Sequence, residues 1–119
     1  MKHPNGIAVL VAGLTAGWAM VLLVGCHGAV VNATIANASG APIKEVEVDY
    51  PSASFGVNAI APGAVYPYHF EVHGSGKLHI SYTDAAGAQH EADGPLMHDG
   101  EQGALRITVG PGAKVEWKR

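Results

Sequence analysis

The chain has a single cysteine, Cys26, in 119 residues, so it has no second thiol with which to form an internal disulfide. It is also poor in charge: Asp, Glu, Lys and Arg make up 14% of the residues, with 10 acids against 7 bases. No basic cluster occurs beyond the short tail Lys114, Lys118 and Arg119. Nucleic-acid binding needs clustered cations to displace counterions, so that function class is excluded. Sustained helical periodicity, internal repeats, charge blocks and low-complexity segments are all missing. The usual catalytic signatures are missing too. Gly74-Ser75-Gly76 is not a Gly-x-Ser-x-Gly elbow, and neither Lys-Ser/Thr nor a helix follows Gly110-Pro111-Gly112 as a phosphate loop requires. The expectation is a protein that is not an enzyme.

What is present divides the chain at Cys26. Acids are absent before Glu45, and the first six residues carry one lysine, Lys2. From Ile7 to Val24 no residue is charged, and Thr15 is the only polar side chain. A basic start, an apolar core and a small residue before a cut site are the three parts of a secretory signal, and Lys2 favours the cytoplasmic side. The apolar core is also long enough to raise a second reading, an uncleaved spanning helix. Leu23-Val24-Gly25-Cys26, at the end of that core, resembles the lipobox of bacterial lipoproteins. The resemblance covers the leader and these four positions. It implies that Cys26 receives a diacylglyceryl group, that residues 1–25 are removed as signal peptide, and that residues 26–119 form the mature protein. Val24 is a less common residue at its position. His27 stands where an Asp would imply inner-membrane retention, so the implied site is the outer membrane facing the periplasm, in an organism that has one. Loss of Lys2 with the leader leaves six bases against ten acids, a balance of −4. Two lipid signals make a stable anchor where one chain binds only marginally, so the implied partner is the membrane, through lipidated Cys26.

Beyond Cys26 the pattern becomes one of short alternating runs punctuated by Gly, Pro, Asn and Asp, which predicts an all-β domain. Val31, Ala33 and Ile35 alternate with Asn32 and Thr34; Val46, Val48 and Tyr50 alternate with Glu45, Glu47 and Asp49. Phe55, Val57 and Ile60 suit a short strand or an inward-facing loop. Tyr66, Tyr68, Phe70 and Val72 read as one inward row, Leu78, Ile80 and Tyr82 as another, and Leu105, Ile107 and Val109 as a third. Residues 88–92 suit a weak polar strand, and Val115 and Trp117 the last strand. Seven or eight strands in this length predict a small immunoglobulin-like or fibronectin-like β-sandwich, without the cysteine pair and central tryptophan of antibody domains. Pro67 suits an edge strand or a bulge. Gly74-Ser75-Gly76, read as a three-residue hairpin loop, would pair Val72 with Leu78, Phe70 with Ile80 and Tyr68 with Tyr82.

That register sets His69, Glu71 and His73 on an outer face with His79 opposite Glu71. Imidazole and carboxylate ligands in such a group would suit Zn²⁺ or Cu²⁺. The competing reading is a polar, solvated face that happens to use histidine. His90 and His98 are read into loops. The acidic stretch Glu91–Glu101 is read as a solvated loop that lacks the spacing of a calcium site. Asn32-Ala-Thr34 and Asn37-Ala-Ser39 match the glycosylation sequon, which is uncommon in bacteria. The function expected is a membrane-anchored envelope lipoprotein with a non-enzymatic binding or structural module for an envelope protein or glycan. The alternative is a weak metal-binding envelope protein using the surface His and Glu residues.

Overall fold

The computed structural model describes residues 29–119; the leader, the lipobox and Cys26 lie outside the described residues. The chain forms eight strands: β1 (Val31–Asn37), β2 (Ile43–Tyr50), β3 (Ala53–Ile60), β4 (Val65–Phe70), β5 (Gly76–Thr83), β6 (Gln89–Met97), β7 (Gly103–Val109) and β8 (Val115–Lys118). They make two four-stranded sheets, β4-β1-β7-β8 and β3-β2-β5-β6. Only the β1–β7 pairing is parallel. The alternation read from the sequence turns the apolar rows inward. Val31, Ala33, Ile35, Leu105, Ile107 and Val109 of one sheet share a core with Val46, Val48, Leu78 and Ile80 of the other, each at most 2% exposed. The architecture is the β-sandwich that the alternation predicts, with eight strands.

The hairpin expected at Gly74–Gly76 is corrected. β4 belongs to one sheet, paired with β1, while β5 belongs to the other, between β2 and β6. The segment between them is a crossover. Val72 is 1% exposed and accepts the Gly100 N–H at 2.9 Å through its carbonyl, and the Gly74 N–H donates to Asp99 Oδ1 at 2.7 Å. Gly74 takes φ +91°, a left-handed turn that glycine adopts without steric cost. The two inward rows face the same core from opposite sides, a solution that alternation alone does not separate from a hairpin. A second correction concerns the stretch Glu91–Glu101. Its first part, to Met97, is strand β6, and His90 lies on that strand as well. Pro67 does occupy an edge strand, β4, opposite Thr34.

Different contacts close the two open sides of the sandwich. Where β3 and β4 meet, Phe55 stacks on Tyr68 at 3.9 Å and Tyr50 on Phe70 at 4.2 Å between ring centroids. Such pairs add about 0.5–1.5 kcal/mol beyond area burial. Where β6 and β8 meet, the Trp117 indole lies over Gly94, so closely that a Cβ there would stand 2.8 Å from three ring atoms.

Since the strands alternate in direction, every connection from an odd strand to the next even one lies at one pole. The N-terminus, the C-terminus and the remaining connections lie at the other. Asn37, 1% exposed, is the buried polar residue that organises the first pole. Its Nδ2 donates to the carbonyls of Ile60 at 2.9 Å and Ala41 at 2.8 Å, and its Oδ1 accepts from Ser39 N–H and Oγ–H at 3.0 and 2.6 Å. Its backbone bonds Ala64 and Gly63. The amide of the second sequon is thus committed inside the fold, whereas Asn32 is exposed.

Removing a buried partner leaves carbonyls unpaired, at about 1–3 kcal/mol. Asn37→Ala is expected to lower the urea unfolding free energy by about 2–3 kcal/mol. A loss below about 0.5 kcal/mol would show that the pole does not depend on the amide. Gly94→Ala is expected to cost about 1–3 kcal/mol by overpacking against the indole, with a shift in Trp117 fluorescence. A variant with unchanged stability and emission would contradict the close approach.

Candidate functional site

At the pole opposite the chain's N-terminal entry, three loops enclose a cleft of about 520 Å³. The β1–β2 loop contributes Ser39, Ala41 and Pro42 beside Ile43 of β2; the β5–β6 turn contributes Asp84, Ala85 and Ala86; the β7–β8 connection contributes Gly110 to Ala113. Tyr82 and His90 complete the lining. A volume in this range, mostly apolar with a few convergent polar groups, is the usual form of a ligand site.

Local chemistry fixes the polar groups. Asp84 opens the β5–β6 turn, its Oδ1 accepting the N–H groups of Ala86 and Ala88, both at 2.9 Å. Its Oδ2 lies 2.7 Å from His90 Nε2. These contacts, His90 first and the Ala88 amide next, hold the Asp84 carboxyl below its ordinary range. The His90 ring leans on Tyr82 with centroids 5.2 Å apart. Burial, with the Asp84 charge second, pushes the Tyr82 hydroxyl up. On the facing wall Gly112 and Ala113 take consecutive left-handed conformations, φ +71° and +62°. For alanine that costs about 1–2 kcal/mol. Strain of this kind, held by its surroundings, gathers at binding sites. The Ser39 hydroxyl is turned to Asn37, so the cleft is suited to holding a ligand through apolar walls and an oriented carboxylate–imidazole pair.

The residues singled out for metal binding separate into two places. His69 lies on β4 and Glu71 and His73 just beyond it, and all three line a shallow depression of about 350 Å³ with Tyr50 and Tyr68 at the N-terminal pole. His73 Nε2 stands 3.3 Å from Glu71 Oε1, both side chains mostly exposed. His79 is not opposite Glu71. It lies on the other sheet, on β5, with Asp49 of β2 and Asp93 of β6 as its register partners. Among the described residues no group of three or more His, Cys, Asp or Glu side chains is arranged to hold a metal ion. The cleft residues Tyr82, Asp84 and His90 were not legible as a site. The one signal was an Asp at a turn with a His six positions later, and reading His90 into a loop hid their pairing.

His79 makes a clamp between strands. Its Nδ1 lies 2.9 Å from Asp93 Oδ1 and its Nε2 2.9 Å from Glu91 Oε1. A neutral imidazole has one N–H, so satisfying both carboxylates takes the imidazolium. The hydrogen bond to Asp93, aided by Glu91 and opposed by desolvation, raises the His79 pKa from 6.5. The same bond lowers that of Asp93. A raised histidine pKa gives stability that is complete below the unfolded value and lost as pH rises through the folded one. Unfolding midpoints measured from pH 5.5 to 8.5, a window of about three units centred above the ordinary histidine value, are expected to fall toward the alkaline end. His79→Gln should flatten that decline, and an unaltered slope would remove His79 from the account.

No helix among the described residues is long and apolar enough to cross a membrane. No family model and no curated protein matches the chain. Among solved structures, the NMR structure of a protein from Eubacterium rectale is similar, with a TM-score of 0.56 at 14% identity over 75% of this chain and 86% of that one. At that identity the likeness is one of fold alone.

Proposed function

We propose that this chain is a lipid-anchored protein of the bacterial cell envelope whose sandwich is a non-enzymatic binding module, with its cleft held away from the membrane. The observation that carries the reading is positional. The chain enters the fold at Val31, five residues after Cys26, at the pole opposite the cleft. A lipid on Cys26 would therefore leave the cleft directed outward, toward an envelope protein or glycan. The lipobox residues Leu23-Val24-Gly25-Cys26 support the anchor, and the loop-built cleft supports binding, since loops on a rigid sandwich commonly carry recognition. Where the organism has an outer membrane, the domain would face the periplasm from it.

Intact mass is expected to give Cys26 as the mature N-terminus with lipid attached, and Cys26→Ala to leave an uncleaved or mislocalised precursor. Protein that keeps Met1 or Lys2 and a reactive Cys26 thiol would replace the anchor with a spanning helix. Ala86→Trp, at an exposed position on the cleft wall, is expected to leave the unfolding midpoint unchanged and to reduce partner recovery from envelope extracts about tenfold or more, as blocking a central contact does. Equal recovery by both proteins would exclude the cleft as the binding site.

A further inference from the structure

Each sheet has two edge strands, and three of the four edges are blunted. β4 has Pro67 near its middle, β6 has Pro95 and the acids Glu91 and Asp93, and β8 is four residues long with Glu116 and Lys118. Proline, charge and shortness are the usual protections of an edge. The β3 edge has none of them. Its eight residues, Ala53–Ile60, include no proline and no charge, and Ala53, Ser54, Gly56, Asn58 and Ala59 are exposed. Alternate residues of an edge strand turn their N–H and C=O groups away from the sheet. Among the described residues, the only backbone group of β3 with a partner beyond β2 is the Ile60 carbonyl, on Asn37 Nδ2. The side of the sandwich next to this edge is also incompletely covered. Val57 of β3 and Tyr66 and Tyr68 of β4 pack against the core yet are only half-buried.

We infer that β3 pairs with β3 of a second copy of this chain, antiparallel, with Gly56 against Gly56 on a two-fold axis. The inference does not depend on the lipid anchor. The register is self-complementary. It sets Phe55 beside Val57 of the second copy, and Val57 beside its Phe55, so that inward apolar side chains meet. On the outer face it sets Ser54 beside Asn58, two neutral hydrogen-bonding groups, and Gly56 has no side chain to collide with itself on the axis. A slip of one residue would set Ser54 against Val57 and mix the faces. The acids of β2 do not oppose the pairing. Glu47, the register partner of Gly56, would lie three strand spacings, about 14 Å, from its counterpart, beyond the Debye length of about 8 Å. The axis stands perpendicular to the joined sheet. Both copies therefore carry β1, and with it their chain entries, on the same side of that sheet, where one membrane can serve both tethers, and the two clefts lie at opposite ends of the pair. An interface one strand wide belongs at the low end of specific interface sizes, about 1,200 Å² in total, so the pair is a reversible one.

The test uses the full chain in neutral detergent and reads register as well as mass. Directly opposed residues of an antiparallel pair stand about 4.5–5.5 Å apart at Cα, within reach of a disulfide. Ser54→Cys combined with Asn58→Cys is expected to give, on mild oxidation, an intermolecular disulfide that peptide mapping places between positions 54 and 58. Either substitution alone sets the two new thiols about 13 Å apart across the axis and should give no such link; any dimer formed through Cys26 would appear equally in all three variants. Sedimentation is expected to show a dimer at about 100 μM that dissociates on dilution. Ser54→Lys with Asn58→Lys places like charges opposite each other twice and should weaken association about tenfold, whereas Ser54→Lys with Asn58→Glu places opposite charges there and should restore it. All five positions of change are exposed, and the unfolding midpoint checks that each variant folds. A monomer at the highest concentration, a disulfide between two copies of position 54 or of position 58, or equal weakening by both charge variants would overturn the pairing.

Discussion

The structure depends on one buried amide. Two four-stranded sheets with no disulfide between them are held by side-chain packing, and packing is non-directional. Asn37 supplies direction at the end of β1. Its side chain reaches the last residue of β3 in the other sheet and the β1–β2 loop within its own connection. All of its polar capacity is used, so a group that would otherwise be costly to bury becomes a specific tie. Three of the four connections at that pole then have a fixed frame: the β1–β2 loop and the turn before β4 through Asn37, and the end of β7 through the Ala38 N–H on the Val109 carbonyl at 2.8 Å. The cleft is a consequence of this frame. Small residues, Ala41, Ala85, Ala86 and Ala113, line it. With so little side-chain bulk in its walls, its shape follows from where the backbone is held.

The two sides of the sandwich solve the problem of closure with different materials. Exposed strand edges invite pairing with other chains unless something blunts them. On one side four aromatic rings bridge β2, β3 and β4, and Pro67 removes a donor from the β4 edge. On the other, the indole of Trp117 reaches across from the short strand β8 to β6, and only a glycine at position 94 lets it lie so close. The His79 clamp adds an ionic tie between β5 and β6 where the pairing register shifts at Lys77/His79.

What the sequence revealed, and what it hid, follow from the physics of each feature. Alternation has a period of two and depends only on which side chains are apolar, so the inward rows Val31–Ile35, Leu78–Tyr82 and Leu105–Val109 were legible residue by residue. Pairing depends on partners distant in sequence. Phe70 and Ile80 both face the core, but their strands belong to different sheets, and no local signal at Gly74-Ser75-Gly76 distinguishes a hairpin from a crossover. That single ambiguity carried His79 to the wrong side of the molecule and produced a four-residue group the structure divides. Residues 88–92 read as a weak strand and Glu91–Glu101 as a loop because Gly94 and Pro95 interrupt the alternation, and the reason for Gly94 lies twenty-three residues away at Trp117. The cleft escaped notice because its walls are mostly alanine, glycine and proline, whose positions are set by the backbone.

Charge placement follows the same division into two sheets. The six bases and ten acids that follow Cys26 are not mixed evenly over the surface. Five acids share the outer face of one sheet. Like charges on neighbouring strands destabilise a sheet, and His79, drawn into its charged form between Asp93 and Glu91, offsets that repulsion at the centre of the face. Lys44 and Lys77 share that face, while Arg106 and Lys118 lie on the opposite one and Arg119 pairs with Glu101. The cleft lies near neither charged face's centre but at a pole, along the strand direction. The cleft residues and those of the charged faces are thus separate sets, and each can be altered without disturbing the other.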